Sequence, residues 1–152
     1  LFRALATGLR KSGDVLGSLE AFLNLSLIDR SSDTLDEIDP QLSASRDCWA
    51  RAEFKALLAE SSKGDREQID QAIAKRLEVA EAGGDIRALE RFLAVFGDHP
   101  IADQVRETLV ERIGGETNSL ARERLLRQLE RSSDPEVRMS AMLKLAAILR
   151  DS

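Results

Sequence analysis

Nucleophilic and acid–base chemistry needs a base held beside its partner, and this chain offers few bases. His99 is its only histidine and Cys48 its only cysteine. They lie roughly fifty residues apart, and no glycine-framed turn of the kind that presents a nucleophile surrounds the cysteine. We read Cys48, beside Trp49 in a helical pattern, as a small buried apolar residue. His99 reads as a hydrogen-bonding residue in a Gly-Asp-His-Pro turn at a helix start. A single cysteine excludes an intrachain disulfide framework and a cysteine-rich zinc site. No Walker loop, dinucleotide fingerprint or metal-ligand cluster is present in the sequence. The sequence therefore assigns no catalytic residue, no metal and no cofactor.

Two charged groupings remain. Asp29, Asp33, Asp36, Glu37 and Asp39 crowd one short segment with Arg30 as its only cation. A calcium loop of the EF-hand type needs alternating ligands, a glycine at the sixth position and a glutamate at the twelfth. This segment has neither that spacing nor the glycine, so it reads as a solvated acidic loop over 29–41. Asp33, Asp36 and Glu37 are its candidate partner-binding residues. Arg124, Arg127 and Arg131 follow i, i+3, i+7 on a helical stretch, with Arg122 nearby. Such a stripe can grip a phosphate or an acidic peptide. Glu123 and Glu130 share that stretch, and arginine near a helix C-terminus is favourable against the dipole in any case. We take the three arginines as candidate partner-binding residues on a largely solvated face.

The elements that must position these groups are helical. The 152 residues include 23 Leu and 19 Ala against 8 Ile, 6 Val and no Tyr, which disfavours a sandwich, barrel or doubly wound sheet. The spacing predicts eight helices. The first spans 1–11 with Leu1, Leu5 and Leu9 on one face. The second starts after Asp14 and reaches Ile28, with Val15, Leu19, Phe22 and Leu23 inward. The acidic loop follows, with one helical turn at Thr34–Ile38. The third runs from Ser43 to Glu60 with Trp49, Ala52, Ala56 and Leu57. The fourth is opened by an Asp65/Gln68 capping box and carries Ile69, Ile73, Leu77 and Ala80. Asp85 caps the fifth, to Phe96. Pro100 opens the sixth, whose seam is Ile101, Val105, Leu109 and Ile113. Asn118 opens the seventh and Asp134-Pro135 the eighth, which reaches Arg150. Short connections imply antiparallel neighbours. The class is all-α.

The chain also repeats. Ser18-Leu-Glu-Ala-Phe22-Leu23 returns as Ala88-Leu-Glu-Arg-Phe92-Leu93, each shortly after a Gly-Asp pair. Small residues at 18, 52, 88 and 121 recur at intervals near 34, each followed four later by Phe22, Ala56, Phe92 or Leu125. With Pro100 twelve after Ala88, this pattern resembles the tetratricopeptide repeat. Its Trp, Leu-Gly and Tyr positions are missing, Arg30 replaces the first proline, and the acidic loop disrupts the second unit. The resemblance implies a right-handed α-solenoid of about eight antiparallel helices. A narrower similarity rests on Ser-Arg-Asp-Cys-Trp-Ala-Arg-Ala at 45–52 and Arg-Phe-Leu-Ala-Val-Phe-Gly-Asp-His-Pro at 91–100. It is to the helical region of large bacterial multidomain proteins that carry a quinoprotein-like β-propeller, and it implies a scaffold beside such a propeller.

Twenty-two basic against 27 acidic residues give a net charge of −5, which opposes nucleic-acid binding. No apolar run approaches the ~20 residues of a membrane span. The chain opens on Leu1 already in a helical pattern, and the eighth helix is apolar almost all round. We therefore expect one helical-repeat domain over 1–152 that belongs to a longer chain, with that last helix covered by following residues or by dimerisation. The expected function is a non-catalytic scaffold for protein–protein or interdomain contacts. The alternative is a helical enzyme domain whose carboxylates meet only in space.

Overall fold

Serine and aspartate side chains set where several helices begin. In the computed structural model, which describes residues 2–26, 36–39, 42–113 and 119–150, helices dominate. The order is α1 (Phe2–Lys11), α2 (Val15–Ser26), β1 (Asp36–Asp39), β2 (Leu42–Ala44), α3 (Arg46–Glu60), α4 (Lys63–Ala82), α5 (Ile86–Phe96), α6 (Ala102–Arg112), α7 (Ser119–Leu129) and α8 (Pro135–Arg150). Ser45 Oγ accepts from the Cys48 amide at the start of α3, and Asp85 accepts from Arg87 at the start of α5. Gly13 and Gly84 adopt φ of 82° and 66° just beyond the ends of α1 and α4, a conformation glycine enters without a Cβ penalty.

The capping box of α4 differs from the expected one. Ser62 is the N-cap, its hydroxyl accepting from the Asp65 amide while the Asp65 carboxylate accepts from the Ser62 amide. Asp65 thus occupies the third helical position, because the hydroxyl and carboxylate satisfy two otherwise orphaned donors reciprocally.

The acidic segment is not wholly loop: the helical turn expected at Thr34–Ile38 is overturned over Asp36–Ile38, while Thr34 and Leu35 lie outside the described residues. Asp36–Asp39 is extended and pairs antiparallel with Leu42–Ala44, Asp36 opposite Ala44 and Glu37 opposite Ser43. Asp39 precedes Pro40, which disfavours helical backbone at that residue. The hairpin then supplies backbone partners that a helix would have supplied. It also delays α3, expected from Ser43, to Arg46.

Two apolar clusters form the core. The larger draws on α1 to α6, with Leu19, Phe22, Phe54, Leu57, Ile69, Ile73, Leu89, Phe92, Phe96 and Val105 among its members. The smaller joins α6, α7 and α8 through Val110, Leu126, Leu129, Ala141 and Leu145, and Leu125 packs against both. Helices neighbouring in sequence pack together from α4 to α8, while α2 also meets α4 and α3 meets α5. Ser18 is fully buried and its hydroxyl donates to the Ala6 carbonyl at 3.0 Å, so a small residue does mark the contact between α1 and α2.

The stripe expected on α3 is corrected. Ala52 is exposed, whereas Ala50 and Phe54 are buried with Leu57. Phe54 meets Phe96 edge-on, with centroids 5.1 Å apart, and that aromatic contact fixes the rotation of the helix. The same rotation turns Cys48, two positions from Ala50, out to solvent, so it is exposed rather than buried. Leu5 is likewise 49% exposed, because Ala6 takes the contact with α2. Among the described residues no helix is long and apolar enough to cross a membrane.

Candidate partner-binding groove

The C-terminal end of α5 is where the most chemistry converges. A helix end leaves its last carbonyls without intrahelical donors, and here arginines from other helices supply them. Arg51 of α3 donates through Nε and Nη2 to the Ala94 carbonyl at 3.2 and 2.9 Å, and through Nη2 to the Leu93 carbonyl at 3.0 Å. Arg106 of α6 donates to the Gly97 carbonyl, to Asp103 Oδ1 at 2.7 Å and to Gln128 Oε1 of α7 at 3.0 Å. Gly97 is buried between them. A Cβ there would lie 2.6 Å from the Leu93 oxygen and 3.1 Å from Arg51 Nη2.

His99 follows in the same turn, and both its ring nitrogens are engaged. Nδ1 accepts from the Ile101 amide at 3.3 Å, which leaves Nε2 to donate to Asp70 Oδ1 at 3.0 Å. The ring therefore ties the α5–α6 turn to α4. The expected hydrogen-bonding histidine at a helix start is what the geometry shows.

Between this corner and α7 lies an open groove of about 850 Å³. Its apolar lining includes Leu93, Leu109, Ile113 and Leu125. Arg124 and Arg131 line it from α7 and the turn after it, both exposed and with no hydrogen bond or ion pair to either guanidinium among the described residues. Glu90 and Asp98 are carboxylates of the same groove. Ser132 is buried in the turn, where its hydroxyl accepts from the Asp134 amide and its carbonyl accepts from Arg138 of α8. The wall of the groove is thus hydrogen-bonded to the helices on either side of it.

The candidate residues divide on this map. Arg124 and Arg131 share the groove. Arg127 pairs with Glu123 at 2.9 Å and lines a shallower depression with Leu120. Asp33 lies outside the described residues, and Asp36 and Glu37 are described only as backbone of β1. The sequence did not signal Arg51, Arg106 or Gln128, because the bonds of Arg51 span more than forty residues and no local pattern encodes them. A second groove of about 600 Å³ lies among α2, α4 and α5, where Arg76 and Glu20 form an ion pair.

Chemically, the larger groove pairs an apolar floor with two guanidiniums available for charge-assisted hydrogen bonds. Among the described residues no group of three His, Cys, Asp or Glu side chains is placed to hold a metal ion. The chain matches no family model, no curated protein and no solved structure.

Proposed function

We propose that the chain is a non-catalytic, tetratricopeptide-like helical-repeat scaffold that holds a protein partner or a neighbouring domain, with the groove between the α5–α6 corner and α7 as the seat. The observation that carries this is the pair Arg124 and Arg131, unpartnered among the described residues above an apolar floor. Arg124 on α7 and Arg131 in the turn after it face one groove, a pair that suits an extended segment with two acidic residues around an apolar one. Contacts between α2 and α4 and between α3 and α5 fit stacked hairpins in a right-handed solenoid, where each unit covers the next. The neighbouring domain we favour is a β-propeller, on the segment order at 45–52 and 91–100. The net charge of −5 favours a protein over a nucleic acid in the groove.

Fluorescence anisotropy tests the reading with labelled acidic–apolar peptides and with lysine-bearing counterparts. Binding is expected for the acidic series only, weakening with salt and falling at least about tenfold in the Arg124→Glu/Arg131→Glu variant. Equal binding of both series, or binding indifferent to the two reversals, overturns the assignment of the groove.

A further inference from the structure

Two grooves meet on one residue. Ala94 of α5 lines both the groove of about 850 Å³ beside α7 and the groove of about 600 Å³ among α2, α4 and α5. The helix wheel explains how. Leu93 and Gly97 turn toward the larger groove, Phe92 and Val95 toward the smaller, and Ala94 falls between these two sides on the outer face. The crest of α5 there carries the exposed, long side chains of Glu90 and Arg91 one turn earlier. Ala94 interrupts that crest with a single methyl group, so the barrier between the grooves is lowest where they touch. Its carbonyl is held by Arg51 at 2.9 Å, which fixes this saddle in place.

The smaller groove repeats the chemistry of the larger. Its floor includes Leu23, Phe92, Val95 and Phe96, all buried. Arg76 is taken up by Glu20, but Lys75 has no hydrogen bond or ion pair to its ammonium among the described residues. Arg91 meets Asp85 only loosely, at 3.9 Å, with both side chains more than half exposed. Asp47 is the one carboxylate of this groove outside the Arg76–Glu20 pair, so Lys75 and Arg91 outnumber it. We infer that the two grooves form one track for a single extended acidic–apolar segment, which crosses α5 at Ala94 and sets a second apolar residue and a further carboxylate in the smaller groove. This rests on the reading of the larger groove as the seat of such a segment, and lengthens the partner it takes. A helix is about 10 Å across and an extended chain advances about 3.3 Å per residue. The crossing therefore needs about three residues between the anchors in the two grooves.

Fluorescence anisotropy compares a labelled core peptide, acidic–apolar–acidic, with versions lengthened at either end by three small residues, a leucine and a glutamate. One of the two lengthened peptides is expected to bind about tenfold more tightly than the core, because it buries a second apolar side chain and adds an ion pair. Lys75→Glu/Arg91→Glu should erase that gain and leave the core peptide's affinity unchanged. Removing the three-residue spacer, or replacing the added glutamate by lysine, should erase most of it. Unchanged melting curves show that the two exposed substitutions leave the fold intact. No gain from either extension, or a gain that survives the charge reversals or loss of the spacer, overturns the inference while the core peptide still reports on the larger groove. A core peptide that does not bind overturns the assignment of that groove, and the shared track with it.

Discussion

Replacing Arg51 by Met removes the guanidinium from the end of α5 and keeps most of the side chain's apolar bulk. The charged fork donates to two carbonyls through three contacts of 2.9 to 3.2 Å. A hydrogen bond to a charged group contributes about 1.5–3 kcal/mol when the alternative is an unsatisfied buried atom. The groove is open, however, so water reaches some of the exposed carbonyls. One bond-equivalent of about 1.5 kcal/mol is therefore lost, together with about 0.5 kcal/mol of favourable charge at a helix C-terminus. The expected destabilisation is about 2 kcal/mol, or a melting temperature lower by about 4–8 °C in a chain of this size. Circular dichroism melts and urea titrations measure it, with the midpoint moving and the slope unchanged. Arg51→Lys keeps the charge without the fork and should lose about half as much. Gly97→Ala adds an internal check. Its Cβ crowds both the Leu93 oxygen and Arg51 Nη2, so its cost should shrink by about 1 kcal/mol in the Arg51→Met background. A loss below about 0.5 kcal/mol for Arg51→Met, with Gly97→Ala strictly additive, would refute the reasoning.

Two other perturbations probe the core and a surface pair. Phe54→Ala should cost about 3–5 kcal/mol, at least as much as Phe92→Ala, because Phe54 is 3% exposed and its ring meets both Phe96 and His99. A thermal melt within a degree or two of wild type would remove Phe54 from the core. At the α1–α3 surface, Arg10 donates to Glu60 and also pairs with Glu53 at 2.9 Å. The Arg10 hydrogen bond, reinforced by its charge, holds the Glu60 carboxyl below its ordinary value of 4.5, against a smaller opposing effect of desolvation. A carboxyl depressed in the folded state stabilises fully above its unfolded value, and that stabilisation disappears as pH falls through the folded one. Stability measured from pH 6 down to 2 should therefore fall less steeply for Glu60→Gln than for wild type, and the difference should shrink in high salt. Identical slopes would mean that the pair does not form in solution.

How much was legible in the sequence follows from the range of each interaction. The buried stripes Ile69–Ile73–Leu77 and Val105–Leu109–Ile113 appear where helical periodicity placed them, since i, i+4 spacing is a property of the helix alone. Ser18 and Phe22 were readable for the same reason. The β1–β2 pairing was not, because strands of four and three residues are too short to show a period, β1 being largely acidic, and each depends on the other for its backbone partners. The rotation of α3 was missed too. Ala52 and Ala50 are equivalent by propensity, and only the edge-on packing of Phe54 against Phe96, more than forty residues away, selects between them.

The candidate site shows the same division more sharply. By itself the sequence determined that the chain is built of helices, where most of them stop, and that it offers one histidine, one cysteine and a stripe of arginines. It did not determine which arginines hold the fold and which face outward. Tertiary structure decided that: Arg51 ends on carbonyls of α5 and Arg106 on that of Gly97 just after it, Arg127 on Glu123, and Arg124 and Arg131 on the rim of the groove. The physical reason is that a guanidinium takes its role from the acceptors within its reach. For Arg127 the acceptor is on its own helix, four residues back, whereas for Arg51 and Arg106 acceptors lie on elements that only folding brings beside them.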